Sequence, residues 1–276
     1  MTSEPVPLPR DAVRPDPLPF DLARSLSEAV SGAASGDRAA CWDAVRGFAA
    51  HWTDRPLAEA DGSPEAELAE AERRLGLRLP AALREAYALL GRRSDLTAFH
   101  NRLLAPAALR LDASGEALVF REENQGVAHW GVLLTDLRGA DGPGGADGPG
   151  DPCGGLAADP PVRMRVDLAD KPAERWEPWS DRTSLALVDL VLFESLHGPE
   201  ELSDWLDGPE PETVAELERH GTLLPLSGLP AGSGARWFLY DEVLIRDESG
   251  VGYWARSRDE AALDRVREAL DGEWLY

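Results

Sequence analysis

Residues 63–91 read SPEAELAEAERRLGLRLPAALREAYALLG, and this stretch indicates the fold more clearly than any other. Ser63 suits the N-cap of a helix, and apolar residues then recur at helical spacing as far as Leu75. Gly76 stands where a left-handed C-cap falls, and a second apolar stripe of helical period begins after Pro80. The stretch therefore predicts two short amphipathic helices joined by a hinge.

The same stretch contains a pattern of residue types that helical spacing alone does not require. An acid-rich helix leads into E-x-x-L-G-x-x-L-P, and the helix that follows has an aromatic residue in its middle. The residues that form this pattern are Glu72, Leu75, Gly76, Leu79, Pro80 and Tyr87.

Three further motifs follow along the chain. EENQG at residues 122–126 precedes HWGV at residues 129–132, and the two segments predict a pair of strands joined by a turn. DPPV at residues 159–162 predicts a turn into another strand, and a tryptophan pair then precedes an apolar segment at residues 184–196. The length of that segment favours a buried helix. The motif residues of this region are Glu123, Asn124, Trp130, Asp159, Pro160 and Val162.

In this order, the four motifs resemble those of the SUKH superfamily, which includes the fungal Smi/Knr cell-wall-assembly regulators and many bacterial toxin-immunity proteins. The matched segments lie within residues 64–197. The resemblance implies an α+β fold in which helices pack against a mixed or antiparallel sheet. It also implies a protein-binding role without catalysis: either immunity against a toxin of the nuclease or deaminase class, or a regulatory interaction.

The chain is expected to divide into four parts. Residues 1–20 contain six prolines and predict an extended or disordered leader, and residues 21–60 predict an N-terminal helical extension. A SUKH-like domain is expected over residues 61–207, with a flexible Gly-rich loop at residues 139–155. Residues 208–276 predict a C-terminal ββ(β)α unit. Whether this unit extends the main sheet or forms a separate lobe is left open by the sequence.

The charge of the chain points to the class of its partners. Fifty acidic residues against 28 basic ones give a net charge of −22, a field that repels nucleic-acid phosphates and anionic lipids. The same field attracts a basic protein, although acidity also serves solubility alone. The densest acidic block, at residues 199–218, is interpreted as two solvated helix faces around Gly208 and Pro209. The candidate partner-binding residues, chosen by charge, are Glu122, Glu123, Glu200, Glu201, Asp204 and Asp207.

The sequence offers no recognisable catalytic or metal-binding motif. Its five histidines form no H-x-x-x-H or H-E-x-x-H pair, and Cys41 and Cys153 suggest neither a disulfide framework nor a metal cluster. The Gly-rich loop has neither the Gly-Lys-Ser/Thr of a phosphate-binding loop nor the closing Glu of an EF-hand. We therefore expect a protein with no enzymatic activity, no cofactor and no metal.

With no apolar run of about 20 residues and no signal-peptide pattern, a soluble, cytoplasmic protein is expected.

Two alternatives to toxin immunity are compatible with the sequence. One is a regulatory or scaffolding protein that binds its partner through the N-terminal helices and the Pro-rich leader. The other is a small-molecule sensor or an enzyme whose pocket is walled by Trp130, Trp176 and Trp179. The sequence shows no set of polar residues that would converge on such a pocket, and this argues against the second alternative.

Overall fold

The computed structural model describes residues 20–138, 157–227 and 234–275, and all structural statements below refer to these ranges. The expected leader, apart from Phe20, and the Gly-rich loop at residues 139–155 lie outside the described residues, as does Cys153. The described chain is α+β, so the fold class predicted from the sequence is confirmed. None of its helices is long and apolar enough to cross a bilayer.

Helices are interspersed with strands along the described chain, and the strands form two antiparallel sheets. The helices are α1 (Leu22–Ser35), α2 (Ala39–Trp52), α3 (Glu65–Leu75), α4 (Ala81–Leu90), α5 (Ser94–Thr97), α6 (Leu134–Leu137), α7 (Thr183–Leu196), α8 (Pro211–His220) and α9 (Glu260–Ala269). The strands are β1 (Arg102–Leu103), β2 (Arg110–Leu111), β3 (Ala117–Glu122), β4 (Ala128–Leu133), β5 (Val162–Val166), β6 (Glu177–Ser180), β7 (Ser203–Asp207), β8 (Thr222–Ser227), β9 (Arg236–Tyr240), β10 (Val243–Asp247), β11 (Gly252–Arg256) and β12 (Glu273–Trp274).

The first sheet has the order β1-β3-β4-β5-β6, and β2 also pairs with β3. Its central hairpin is the strand pair predicted from EENQG and HWGV, with Glu122 opposite His129. Gly126 adopts a φ of +76° in the connecting turn, a conformation that glycine adopts without steric cost. The side chain of Glu123 accepts hydrogen bonds from the backbone of Gln125 and Val127, which fixes the same turn.

The second sheet has the order β12-β7-β11-β10-β9-β8 and is separate from the first. The C-terminal strands therefore do not extend the main sheet. Their sheet also includes β7, which precedes residue 208, where the C-terminal unit was expected to begin. The prediction of two helices over residues 199–218 is wrong in its first half, because residues 203–207 form β7. The acidic residues of this segment hid the strand, in which Leu206 enters the core of the second sheet while Asp207 faces solvent.

Helix α7 lies between the two sheets, and twelve of its fourteen residues are buried. One face of the second sheet, including Trp237 and Leu244, belongs to the same core as α7 and α1. The other face, including Ile245 and Tyr253, packs against α8 and α9. The N-terminal helices join the main core as well, and the aromatic stripe of α2 is buried there rather than exposed for a ligand. This packing explains why α7 is apolar around its whole circumference.

Candidate functional site

The residues of the E-x-x-L-G-x-x-L-P motif lie at the junction of α3 and α4. Gly76 has a φ of +67°, the left-handed conformation that ends α3. Glu72 Oε1 accepts hydrogen bonds from the backbone N–H of Leu79 at 2.9 Å and from Arg84 Nη1 at 2.8 Å. Pro80 occupies the N-cap position of α4. Glu72 therefore ties the end of one helix to the start of the next.

Replacing Glu72 with alanine is expected to lower the free energy of unfolding by about 1–2 kcal/mol. The substitution removes two charge-assisted hydrogen bonds, one of them from a guanidinium, and takes away the acceptor of the Leu79 N–H. Urea unfolding measures the change. Glu70→Ala on the same helix is the control, because its exposed pair with Arg73 is worth less than about 1 kcal/mol. Equal effects of the two substitutions would contradict the proposed role of Glu72.

The other residues of this motif serve the core. Leu75 is half-buried against it, and Tyr87 is buried with its hydroxyl donating a hydrogen bond to the carbonyl of Leu104. Burial raises the pKa of Tyr87 well above its ordinary value, so the phenol stays neutral. These residues stabilise the fold and are not available to a partner.

The DPPV motif fixes the start of α7 against the start of β5. The buried carboxylate of Asp159 accepts a hydrogen bond from the backbone N–H of Ser184 at 2.8 Å and another from the Ser184 hydroxyl at 2.6 Å. The carbonyl of Pro160 accepts two more hydrogen bonds, from the backbone N–H and the hydroxyl of Thr183. Val162 is buried at the start of β5. The motif therefore acts as a cap that connects a helix to a strand.

The three tryptophans considered as walls of a pocket instead fill the interior. Trp130 and Trp179 are buried and meet edge to face with ring centroids 5.4 Å apart. Trp176 is half-buried and donates from Nε1 to Asp112 at 3.3 Å. The guanidinium of Arg121 lies over the Trp130 ring at 4.6 Å. Core packing accounts for these side chains, and the expectation of an aromatic pocket is not supported.

A buried polar network connects α7 to both sheets. Glu194 of α7 pairs with Arg121 of the first sheet at 2.7 Å, and both side chains are nearly inaccessible to solvent. Asp189 of α7 accepts a hydrogen bond from Trp237 Nε1 at 3.0 Å and lies 3.6 Å from Arg246 Nη1, both of the second sheet. The charges of this network are enclosed by protein, so the network positions elements rather than meeting a substrate.

Two histidines lie beside this network at the C-terminal end of α7. His197 stacks on His100 with ring centroids 4.1 Å apart and contacts Phe193 and Trp254. Burial is the main cause that lowers the pKa of His197 to about 3, and the nearby His100 lowers it further. His197 is therefore neutral at physiological pH, and its role is in packing.

Two of the six candidate partner-binding residues are buried, so their predicted exposure is wrong. Glu122 is enclosed by Arg102 and Arg110, the second at 2.9 Å. Asp204 is fully buried and bound to Arg267 at 2.6 Å. Glu122 pairs with arginines on the neighbouring strands, and Asp204 of β7 pairs with an arginine of α9. These arginines neutralise the charge of both carboxylates. Net charge along the sequence does not reveal such pairing.

The remaining candidates are distributed over two regions of the surface. Glu123 is half-buried and committed to the β3–β4 turn, beside the exposed Asn124. Glu200 and Glu201 are exposed on a short 3-10 turn before β7, and Asp207 is exposed at the end of that strand. The structure therefore separates Glu123 from the acids near β7 and leaves Asp207 as the start of a larger cluster.

That cluster, here termed the acidic face, consists of five exposed acids near the end of β7. Glu273 of β12 lies directly opposite Asp207 in the antiparallel register. The hydroxyl of Thr213, in the first turn of α8, donates to the carbonyl of Asp271 at 2.7 Å and brings the start of α8 to the same place. Within the described residues no member forms a salt bridge. The acidic face consists of Asp207, Glu210, Glu212, Asp271 and Glu273.

Two exposed apolar side chains flank the acidic face. Val251 is 65% exposed, and its carbonyl accepts a hydrogen bond from the backbone of Gly208. Leu275 is 51% exposed and follows Glu273 on the edge of the sheet. Exposed apolar side chains bordered by polar ones are the arrangement of a protein–protein interface with a polar rim. Asp207, Glu210 and Glu212 belong to the acidic block recognised in the sequence, whereas Glu273 and Asp271 are brought to it by tertiary contacts.

Metal-binding and nucleophilic groups do not form a comparable site in the described part of the chain. No group of three or more His, Cys, Asp and Glu side chains there is arranged to hold a metal ion. Cys41 is buried, and burial raises the pKa of its thiol to about 11. A thiol with this pKa is protonated at neutral pH and unreactive.

Comparison with known proteins identifies no relative: no family model, no curated protein and no solved structure matches this chain. Two features of the molecule therefore bear on its function: the acidic face and the motif resemblance.

Proposed function

We propose that this protein is a non-enzymatic binding module of the SUKH type that recognises a basic partner protein through the acidic face. The partner is a bacterial toxin of the nuclease or deaminase class, which the protein neutralises by binding. The observation that supports this proposal is the convergence of five exposed acids without ion pairs, beside two exposed apolar side chains.

The acidic face is maintained at a cost to the fold. Like charges directly opposite each other on neighbouring strands destabilise a sheet, and Asp207 and Glu273 are such a pair. Elsewhere on the surface, many acids are paired with arginine, as in the Arg236–Glu218 and Arg265–Asp241 pairs. A cluster left without such pairs favours a role outside the monomer.

The charge of the partner follows from the field of the whole chain. A net charge of −22 attracts a basic surface and accelerates its association, most strongly at low ionic strength. Nucleases and other enzymes that act on nucleic acids present basic clefts to phosphate. An acidic protein blocks such a cleft by occupying the place of the phosphates.

Affinity capture of the tagged protein from its native cells, at low and moderate salt, tests the proposal. One basic protein is expected in stoichiometric amount, and its recovery is expected to fall as salt rises because screening shortens the range of the field. The captured protein is then assayed for nuclease and deaminase activity with and without this chain. Inhibition of that activity by the wild-type protein is the expected result.

Charge reversal shows whether the acidic face makes the contact. The triple variant Glu210→Lys, Glu212→Lys, Glu273→Lys is expected to lower the association rate at least tenfold. The control, Glu59→Lys, Asp170→Lys, Asp181→Lys, changes the net charge equally at exposed acids that form no salt bridge within the described residues. If both variants lost association rate equally, the effect would come from net charge alone and not from the acidic face. Unchanged association in the first variant would exclude the acidic face as the contact.

A further inference from the structure

A pocket of about 340 Å³ lies at the other end of β7, where α2, the β9–β10 turn and the loop between β11 and α9 meet. Trp52 and Leu202 contribute apolar surface, and Arg256 lines the pocket from the end of β11. Ser203 is the residue of β7 opposite Arg256, whereas Gly252 is opposite Asp207, so the pocket and the acidic face occupy opposite ends of the strand. The volume is in the range of small-molecule sites.

Arg256 is the unusual residue of this pocket. The residue is only 6% exposed, and its Nε and Nη1 atoms have no hydrogen-bond partner among the described residues. Burial is the main cause that lowers the pKa of Arg256, although Asp54 and Glu201 raise it. A buried cation without a protein partner is costly to the fold, and a carboxylate bound beside it would lower that cost.

Acidic groups line the same pocket without neutralising Arg256. Asp54 and Glu242 are exposed at its mouth together with a second cation, Arg258, and none of the three forms a salt bridge with a described residue. Asp259 also lines the pocket, but its carboxylate already accepts the backbone N–H of Ala262 at the start of α9. The pocket therefore combines an enclosed cation, Arg256, with two exposed carboxylates at its mouth that Arg258 alone does not balance. A ligand with one group of each sign satisfies both.

The turn that carries Glu242 is strained. Asp241 and Glu242 have φ values of +45° and +65°, in the left-handed region where residues other than glycine are uncommon. Such a two-residue hairpin turn favours Asn-Gly or Asp-Gly. The pairing of Tyr240 with Val243 across a two-residue loop imposes this conformation. Here it holds the carboxylate of Glu242 at the mouth of the pocket.

We propose that this pocket binds a small zwitterion of the α-amino-acid type. The carboxylate of the ligand accepts hydrogen bonds from the guanidinium of Arg256. Its ammonium group donates to Asp54 and Glu242, and its side chain lies against Trp52 and Leu202. This binding site is independent of the acidic face and of the identity of any protein partner.

Thermal unfolding of the full chain with individual L-amino acids tests the proposal. At a ligand concentration of about ten times Kd, at least one amino acid is expected to raise Tm by about 3 °C. Acetate, methylammonium and inorganic phosphate are the comparison probes, and each is expected to bind at least tenfold more weakly. If no amino acid raises Tm, the proposal is overturned. It is also overturned if acetate or phosphate binds as tightly as the best amino acid.

Substitutions at Arg256 and Glu242 separate binding from folding. Arg256→Met is expected to abolish the response to the amino acid while raising the Tm of the free protein, because it removes an unpartnered buried charge. Glu242→Gly relieves the strained turn and is expected to raise Tm while weakening binding severalfold. Arg138→Met, a matched change at an exposed arginine of the first sheet region, is expected to leave binding unchanged. Binding that survives Arg256→Met would exclude this pocket.

Discussion

Replacing Glu194 with alanine is expected to lower the free energy of unfolding by about 3–5 kcal/mol, the largest effect of any single substitution considered for this protein. The buried carboxylate accepts hydrogen bonds from the backbone of His100 at 2.7 Å and of Asn101 at 3.0 Å, and it pairs with Arg121 at 2.7 Å. Its removal leaves a buried guanidinium and two backbone donors without their acceptor. Guanidinium chloride unfolding, checked by thermal unfolding, measures the loss.

The pair of Glu194 and Arg121 is stabilising only relative to the state in which one partner is missing. Burial raises the pKa of Glu194 and lowers that of Arg121, so enclosure opposes both charges. The double variant Arg121→Met, Glu194→Leu removes both charges together and is expected to recover part of the stability lost in the single variant. A loss of less than about 1 kcal/mol in Glu194→Ala would contradict the structural role of the pair.

Replacing His197 with phenylalanine is expected to make the protein more resistant to mild acid. The pKa of His197 is lowered from its ordinary value of 6.5 to about 3, with burial as the main cause. Between these pH values the unfolded chain binds a proton and the folded chain does not. Stability is therefore lost as pH falls through this window. From pH 6.5 to 4.5 the wild-type protein is expected to lose about 2 kcal/mol more than the variant.

Denaturant unfolding at several pH values measures this difference. At pH 7.5 the histidine is neutral in both states, so the difference between the two proteins there reports packing alone. Phenylalanine retains an aromatic ring against His100, Phe193 and Trp254, which keeps that difference small. Parallel pH curves for the two proteins would show that His197 titrates normally in the folded state.

The sequence by itself determined the elements that depend on residues close together in the chain. The α3–α4 junction follows from the Glu72 motif and Gly76. The β3–β4 hairpin follows from β-branched and aromatic residues clustered around a Gly turn, and α7 follows from a long apolar run. The tight β9–β10 turn was also predicted at Asp241 and Glu242. Capping, turn geometry and hydrophobic period act over a few residues, so a single sequence carries them.

Only the tertiary structure decided which distant groups meet. The pairing of β7 with β11 converts an acidic segment into a strand, buries Asp204 and exposes Asp207 beside Glu273. The same pairing places Arg256 at the end of the sheet, in a pocket completed by α2. Charge counted along the chain cannot distinguish an acid that is paired in the core from one that faces solvent. That distinction depends on strand order and register, which are set by burial across the whole molecule.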